Sequence, residues 1–172
     1  MKSKDDQFVF TNVRIFKEIA DEAYSIMVAE MNSGRRPRED GADGWIITID
    51  PSQTSFKQAI ISTTFTAIWL EANLHLAIVQ HHGVKEYNKI DKKTYEDKLS
   101  YIGYNDNIVV EKVKRLRKER KEIVHEKAFL DDGGLTTAQD MAENAREIRI
   151  VLHEYFTERR AGIAPSAAAE SG

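Results

Sequence analysis

The octapeptide "ERKEIVHE", residues 119–126, places Arg120 five residues before His125. An arginine offers a planar fork that holds an oxyanion through two charge-assisted hydrogen bonds and never releases its proton. A histidine exchanges a proton near neutral pH. Together they suit chemistry on a phosphate, provided the surrounding element brings them to one cleft. At about 100° per residue, five residues of helix separate the two by about 140°, so they flank a cleft rather than share one stripe.

The element around them is basic. Lys112, Lys114, Arg115, Arg117, Lys118, Arg120 and Lys121 stand against Glu111 and Glu119, within a chain whose formal net charge is −3. Such a concentration on one helix is a candidate track for a polyanion, and Lys114, Arg117 and Lys118 are the candidate contacts for its backbone. The competing reading is a solvated face laced by local Glu–Lys pairs. Arg120 also falls in phase with the apolar positions Val109, Val113, Leu116, Ile123 and Val124. An unpaired guanidinium in a core is costly, so Arg120 must be paired, must reach out to water, or must look into a wet cleft.

Five elements are predicted to position these residues. Apolar residues recur at helical spacing from Asn12 to Met31, and the polar "NSGRRPREDGADG" after them reads as a loop. "WIITIDP" adds at most a short extended piece before Pro51. Over "SQTSFKQAIISTTFTAIWLEANLHLAIVQHHG", residues 52–83, two apolar stripes appear, one through Phe56, Ile60, Thr63, Ala67, Leu70, Leu74 and Ile78. The other runs through Ile61, Phe65, Ile68, Trp69, Ala72, Leu76 and Val79, so this helix must be covered on two sides, by its own chain or by another subunit. Gly83 stops it. A short connecting helix over "KKTYEDKLSYIG" precedes the basic helix, 107–128. A last helix opens on a capping box, Thr136 with Gln139, and buries Met141, Ala145, Ile148, Val151 or Leu152, and Tyr155. The expected fold is all-α, an up-and-down bundle of four main helices plus the short one, in a single domain over 1–160, with 161–172 as a disordered tail. No cysteine, no signal-peptide core and no apolar run of membrane-spanning length occur, which predicts a cytoplasmic protein without a membrane role.

An arginine followed after four residues by a histidine, on the penultimate long helix of a small bundle, resembles the HEPN superfamily of ribonucleases. "FKQAIISTTFTAIWLEAN", with Glu71 and Asn73 in a Glu-x-Asn pattern, resembles that family's long second helix, and "YEDKLSYIG" its connecting helix. The resemblance covers about residues 12–160. It implies metal-independent RNA cleavage that leaves 2′,3′-cyclic phosphate ends, with no cofactor. It further implies Arg120 and His125 as catalytic residues, with Glu71, Asn73 and Lys121 supporting, and a homodimer with the cleft at its interface. A toxin or antiviral-defence setting, with an antitoxin or regulatory partner, belongs to the same family picture. Two residues after the histidine stands Lys127, not the tyrosine that some toxin branches carry.

Other readings remain open. Arg146 and His153 form a second arginine–histidine match on the last helix. Glu122 with His125 fits Glu-x-x-His once, whereas a di-iron bundle needs it twice. Glu71 and His75 share a helix face, read as a polar edge. His81 and His82 end their helix without assigned chemistry, and Trp45 and Trp69 read as packing residues. The rival from another class is a non-catalytic helical module that dimerises or binds RNA or protein. The arginines of "GRRPRED", Arg35, Arg36 and Arg38, either guide RNA or belong to a solvated insertion.

Overall fold

The computed structural model describes residues 12–48, 51–125, 137–160 and 162. The expected tail and the last residues of the basic helix, 126–128, fall outside them, as does Thr136. The described chain is mostly helical: α1 (Val13–Ser33), α2 (Thr54–His82), α3 (Val84–Ile90), α4 (Tyr95–Tyr101), α5 (Asn107–His125) and α6 (Ala138–Arg160). Between α1 and α2 lies an antiparallel hairpin of β1 (Arg35–Pro37) and β2 (Trp45–Ile47). No helix among the described residues is long and apolar enough to cross a membrane.

Three expectations need correction. The arginine-rich stretch after α1 is not all loop, because Arg35, Arg36 and Pro37 pair with Ile47, Ile46 and Trp45. The hairpin is anchored at Gly34, whose carbonyl accepts from Thr48 N at 2.7 Å and where a side chain would crowd Thr48 O at 3.2 Å. Two short helices, not one, follow α2. Gly83, at φ 82°, ends α2, and α3 starts at the next residue. The last helix has a capping box of Thr137 with Asp140, while Gln139 bonds Ser55: Asp140 N donates to Thr137 Oγ1 at 3.1 Å, and Thr137 N to the Asp140 carboxylate at 3.1 Å.

The first α2 stripe lies in the core from Thr63 to Ile78, though Phe56 at its start is exposed. Of the second stripe, Trp69 and Leu76 are buried by the chain itself, while Ile61, Phe65, Ile68, Ala72 and Val79 are half-buried. The main core joins α1, α2, α4, α5 and α6 through residues such as Leu70, Leu74, Leu99, Val113, Leu116, Ile148 and Leu152. On α6, Leu152 is buried and Val151 exposed. A smaller cluster of Met27, Ala59, Ala138 and Ala142 gathers the end of α1 and the starts of α2 and α6. Asp106 opens α5 by accepting from Ile108 N and Val109 N. Lys112 of α5 bonds Glu147 of α6, and Glu119 bonds Asn144, so the C-terminal end of α5 points toward the start of α6.

Candidate functional site

A groove of about 690 Å³ runs along α5, and its described lining is Glu111, Lys114, Arg115, Arg117, Lys118, Arg120 and Lys121. Six of the basic helix's cations therefore reach one surface, while Lys112 turns to Glu147 of α6. Most are already committed to acids. Arg117 makes a fork-on-carboxylate pair with Glu96 of α4, closest at 2.7 Å, and that bond holds its guanidinium above the usual arginine range. Arg115 bonds Glu119 at 2.6 Å, Lys114 meets Glu111 at 3.3 Å, and Lys118 meets Glu122 at 3.9 Å. Glu119 itself is buried, and burial raises its carboxyl above the ordinary value although Arg115 and Asn144 pull it down.

Arg120 is different. Its Nη1 donates at 2.8 Å to the hydroxyl of Tyr95, a residue only 5% exposed on the first turn of α4. Burial pushes the Tyr95 phenol up, against the opposing pull of Arg120, so the phenol stays neutral. Arg120 thus answers its apolar-phase position by pairing, but with a neutral oxygen. Among the described residues neither Arg120 nor Lys121 has a carboxylate partner.

The other expected members are distributed differently. Glu71 lies close enough for its charge to act on Tyr95, yet its carboxylate accepts from Lys98 Nζ at 2.7 Å. Lys98 is 1% exposed, and its ammonium also sits 5.5 Å from the centre of the Tyr87 ring. Glu71 therefore supports the α4 lysine directly rather than Arg120. Asn73 is buried, donates to Trp69 O at 2.9 Å, and faces a narrow cavity shared with Gln80, His81 and Arg159, away from the α5 groove. His125 ends α5, and its side chain lies outside the description.

The second arginine–histidine pair sits on the α1–α6 surface. Arg146 packs over the Tyr24 ring at 5.1 Å and pairs with Glu143 at 3.7 Å. His153 is exposed; partial burial, with Lys17 and Arg160 nearby, lowers its pKa. His75 stacks on Tyr87, their ring centres 4.2 Å apart, and His82 meets the Tyr101 ring edge-on. Glu122 lies with Lys118, and no group of three His, Asp or Glu side chains converges among the described residues.

Tyr95, Lys98 and Arg149 escaped the sequence reading. The signal for the last two was present. Lys98 keeps helical phase with Tyr95, Leu99 and Ile102, as Arg149 does with Ala145, Leu152 and Phe156, and a charge in an apolar phase is what drew attention to Arg120. Searches of the whole chain against family models, curated proteins and solved structures return no match.

Proposed function

We propose that this chain is a metal-independent endoribonuclease of HEPN type, its four long helices forming an up-and-down bundle and its active cleft shared by two copies. The observation that carries this reading is the surroundings of Arg120: it opens on the α5 groove, held by the neutral hydroxyl of Tyr95, with no described acid competing for its charge. A phosphate entering the groove takes the remaining guanidinium donors, with Lys114, Lys118 and Lys121 beside it. The 2′-oxygen of the ribose attacks phosphorus and gives its proton to one His125. The bond from phosphorus to the 5′-oxygen breaks, and that oxygen takes a proton from the His125 of the second copy. Products are a 2′,3′-cyclic phosphate and a 5′-hydroxyl. Two histidines on opposite sides of one phosphate explain why a two-fold dimer is invoked. The setting is growth arrest or antiviral defence in the cytoplasm, with an antitoxin-like partner restraining the activity.

The test is incubation of purified protein with mixed RNA in EDTA, wild type beside Arg120→Ala and His125→Ala, with end-group analysis. Cyclic phosphate ends that persist in EDTA and vanish in both folded variants support the reading. Cleavage unchanged by both overturns the residue assignment and turns attention to Arg146 and His153.

One observation favours a second reading, a non-catalytic module that binds RNA or an acidic protein. The pairing of Lys114, Arg115, Arg117 and Lys118 with carboxylates makes much of α5 an internally balanced face. Folded wild type that binds RNA in EDTA and never cuts it selects this reading.

A further inference from the structure

The two tryptophans have opposite environments. Trp69 is sealed in the core at 1% exposure, edge-on to Phe156. Trp45, expected to pack, is 63% exposed on β2. A single exposed apolar residue is ordinary, but an exposed indole on a hairpin with no cover of its own is an unused contact surface.

The register defines what shares its face. Trp45 stands opposite Pro37, and residues directly opposite in an antiparallel pair project to the same side. Arg35, two residues back along β1, projects to that side as well. Arg36 lies on the other face and is held by Glu39 at 3.0 Å, while Arg38 is clamped by Asp40. Arg35 has no carboxylate partner among the described residues. Among the described residues, the one hairpin cation left uncompensated is therefore the one beside the indole.

The position of the hairpin gives this face a use. It joins the end of α1 to the start of α2, and the start of α6 packs there through Met27, Ala59, Ala138 and Ala142. Gln139 of α6 also bonds Ser55 of α2. The C-terminal end of α5, carrying Lys121 and His125, runs toward the same end of the molecule.

We propose that the Trp45–Arg35 face of the hairpin is a stacking platform for single-stranded RNA, the indole taking the plane of a base and Arg35 an adjacent phosphate. The ligand class rests on the reading of α5 as an RNA track. Base stacking on an aromatic ring is tolerant of sequence, so the platform adds affinity and threading without specifying a site. A duplex keeps its bases stacked on one another and offers the indole none.

The test uses full-length protein and a 2′-O-methyl oligoribonucleotide of about twelve nucleotides, within the span such surfaces engage. This probe lacks the nucleophile for cleavage, so binding is read independently of catalysis. Tryptophan emission reports the contact directly, because Trp69 is shielded and contributes a constant background. The expected result is quenching by the single strand, absent in Trp45→Ala, with affinity at least about fivefold weaker in that variant, the low end for one stacked base. Trp45→Phe should recover part of the affinity. Arg35→Gln should lower the slope of log affinity against log salt by about 0.7. Equal affinity of wild type and Trp45→Ala, no binding of the single strand, or equal quenching by the duplex would overturn the proposal. A fall in oligomer mass on Trp45→Ala, with nucleic-acid binding unchanged, would assign the face to a second copy instead. Stacking without cleavage in the EDTA assay would remove only the nuclease reading; cleavage without stacking would remove only this one.

Discussion

Two arginines, one on each of the last two helices, stand in phase with apolar stripes and have opposite surroundings. Arg149 on α6 is 1% exposed and almost fully engaged: Nε donates to Asp21 at 2.9 Å, Nη1 to Thr66 and, at 3.3 Å, to Ser62, and Nη2 to Ala20 O at 3.3 Å. Burial pulls its guanidinium below the usual arginine range, and Asp21 pulls it back. Arg120 on α5 has, among the described residues, one neutral partner and an open groove. A charge enclosed by donors, acceptors and a counter-charge has nothing left to offer a ligand, and its role is to hold α1, α2 and α6 in register. A charge steadied on one side and open on the other is built to receive something. The contrast locates the candidate site more firmly than the number of cations does.

The comparison is most easily broken at Arg149. Replacing it with Met removes a buried partner and leaves the acceptors of Ala20, Ser62 and Thr66 facing a thioether. Loss of one member of a buried pair costs about 3 kcal/mol here, the low end of the usual range, since Asp21 keeps contact with water and with Lys17. For a chain of this size that lowers Tm by roughly 6–12 °C. Arg120→Gln should stay within about 1 kcal/mol of wild type, because among the described residues one hydrogen bond to a neutral group is altered. Thermal unfolding of both variants decides it. Equal losses would mean that Arg120 is a structural residue like Arg149 and that the groove has no special claim on it.

How legible was this from residues alone? The helices that carry apolar periodicity were readable, since burial of one face is written locally: α1, the first stripe of α2, α5 and α6 all appear near their expected spans. Elements that depend on a distant partner were not. Arg35–Pro37 has no strand propensity and becomes a strand only because Trp45–Ile47 lies beside it. The same limit applies to the site. A charge in an apolar phase is visible for Lys98, Arg120 and Arg149 alike, but whether Glu71, Tyr95 or Asp21 answers it depends on how other helices pack. Glu71, expected only as a supporting residue, lies near Tyr95 and bonds Lys98, a partner that its own helix does not reveal.

A smaller effect sharpens the comparison at that partner. Lys98 is buried, whereas the Glu71 side chain is more than a third exposed. Glu71→Gln leaves an ammonium enclosed without its counter-charge; Lys98→Met leaves a carboxylate that water can reach. The first should therefore cost about 2 kcal/mol and the second less than about 1, although both delete the same ion pair. Denaturant unfolding of the two variants reads the asymmetry, and the reverse order would show that Lys98 has an alternative route to solvent. Because Glu71→Gln weakens the seat of α4, and with it Tyr95, any loss of RNA cleavage in that variant must be corrected for its loss of folded protein.

The smallest predicted effect separates two carboxylates that both face arginines. Burial alone would raise Asp21, but hydrogen bonds and charge from Lys17 and Arg149 outweigh it and bring its pKa below the ordinary 3.8. A folded-state pKa below the unfolded one stabilises the protein above about pH 4, and this contribution disappears as pH falls through the depressed value. For Glu119 the order reverses: burial dominates the bonds from Arg115 and Asn144, and its pKa lies above the ordinary 4.5. Its protonated form favours folding, so that contribution is complete below about pH 4.5 and is lost as pH rises through the elevated value. Stability measured by denaturant from pH 3 to pH 7 should therefore flatten on the acid side in Asp21→Asn and on the side above pH 4.5 in Glu119→Gln. Slopes altered in the same direction would mean that Arg115 compensates Glu119 as fully as Arg149 compensates Asp21. Arg115 of the α5 groove would then be no freer than the arginine in the core.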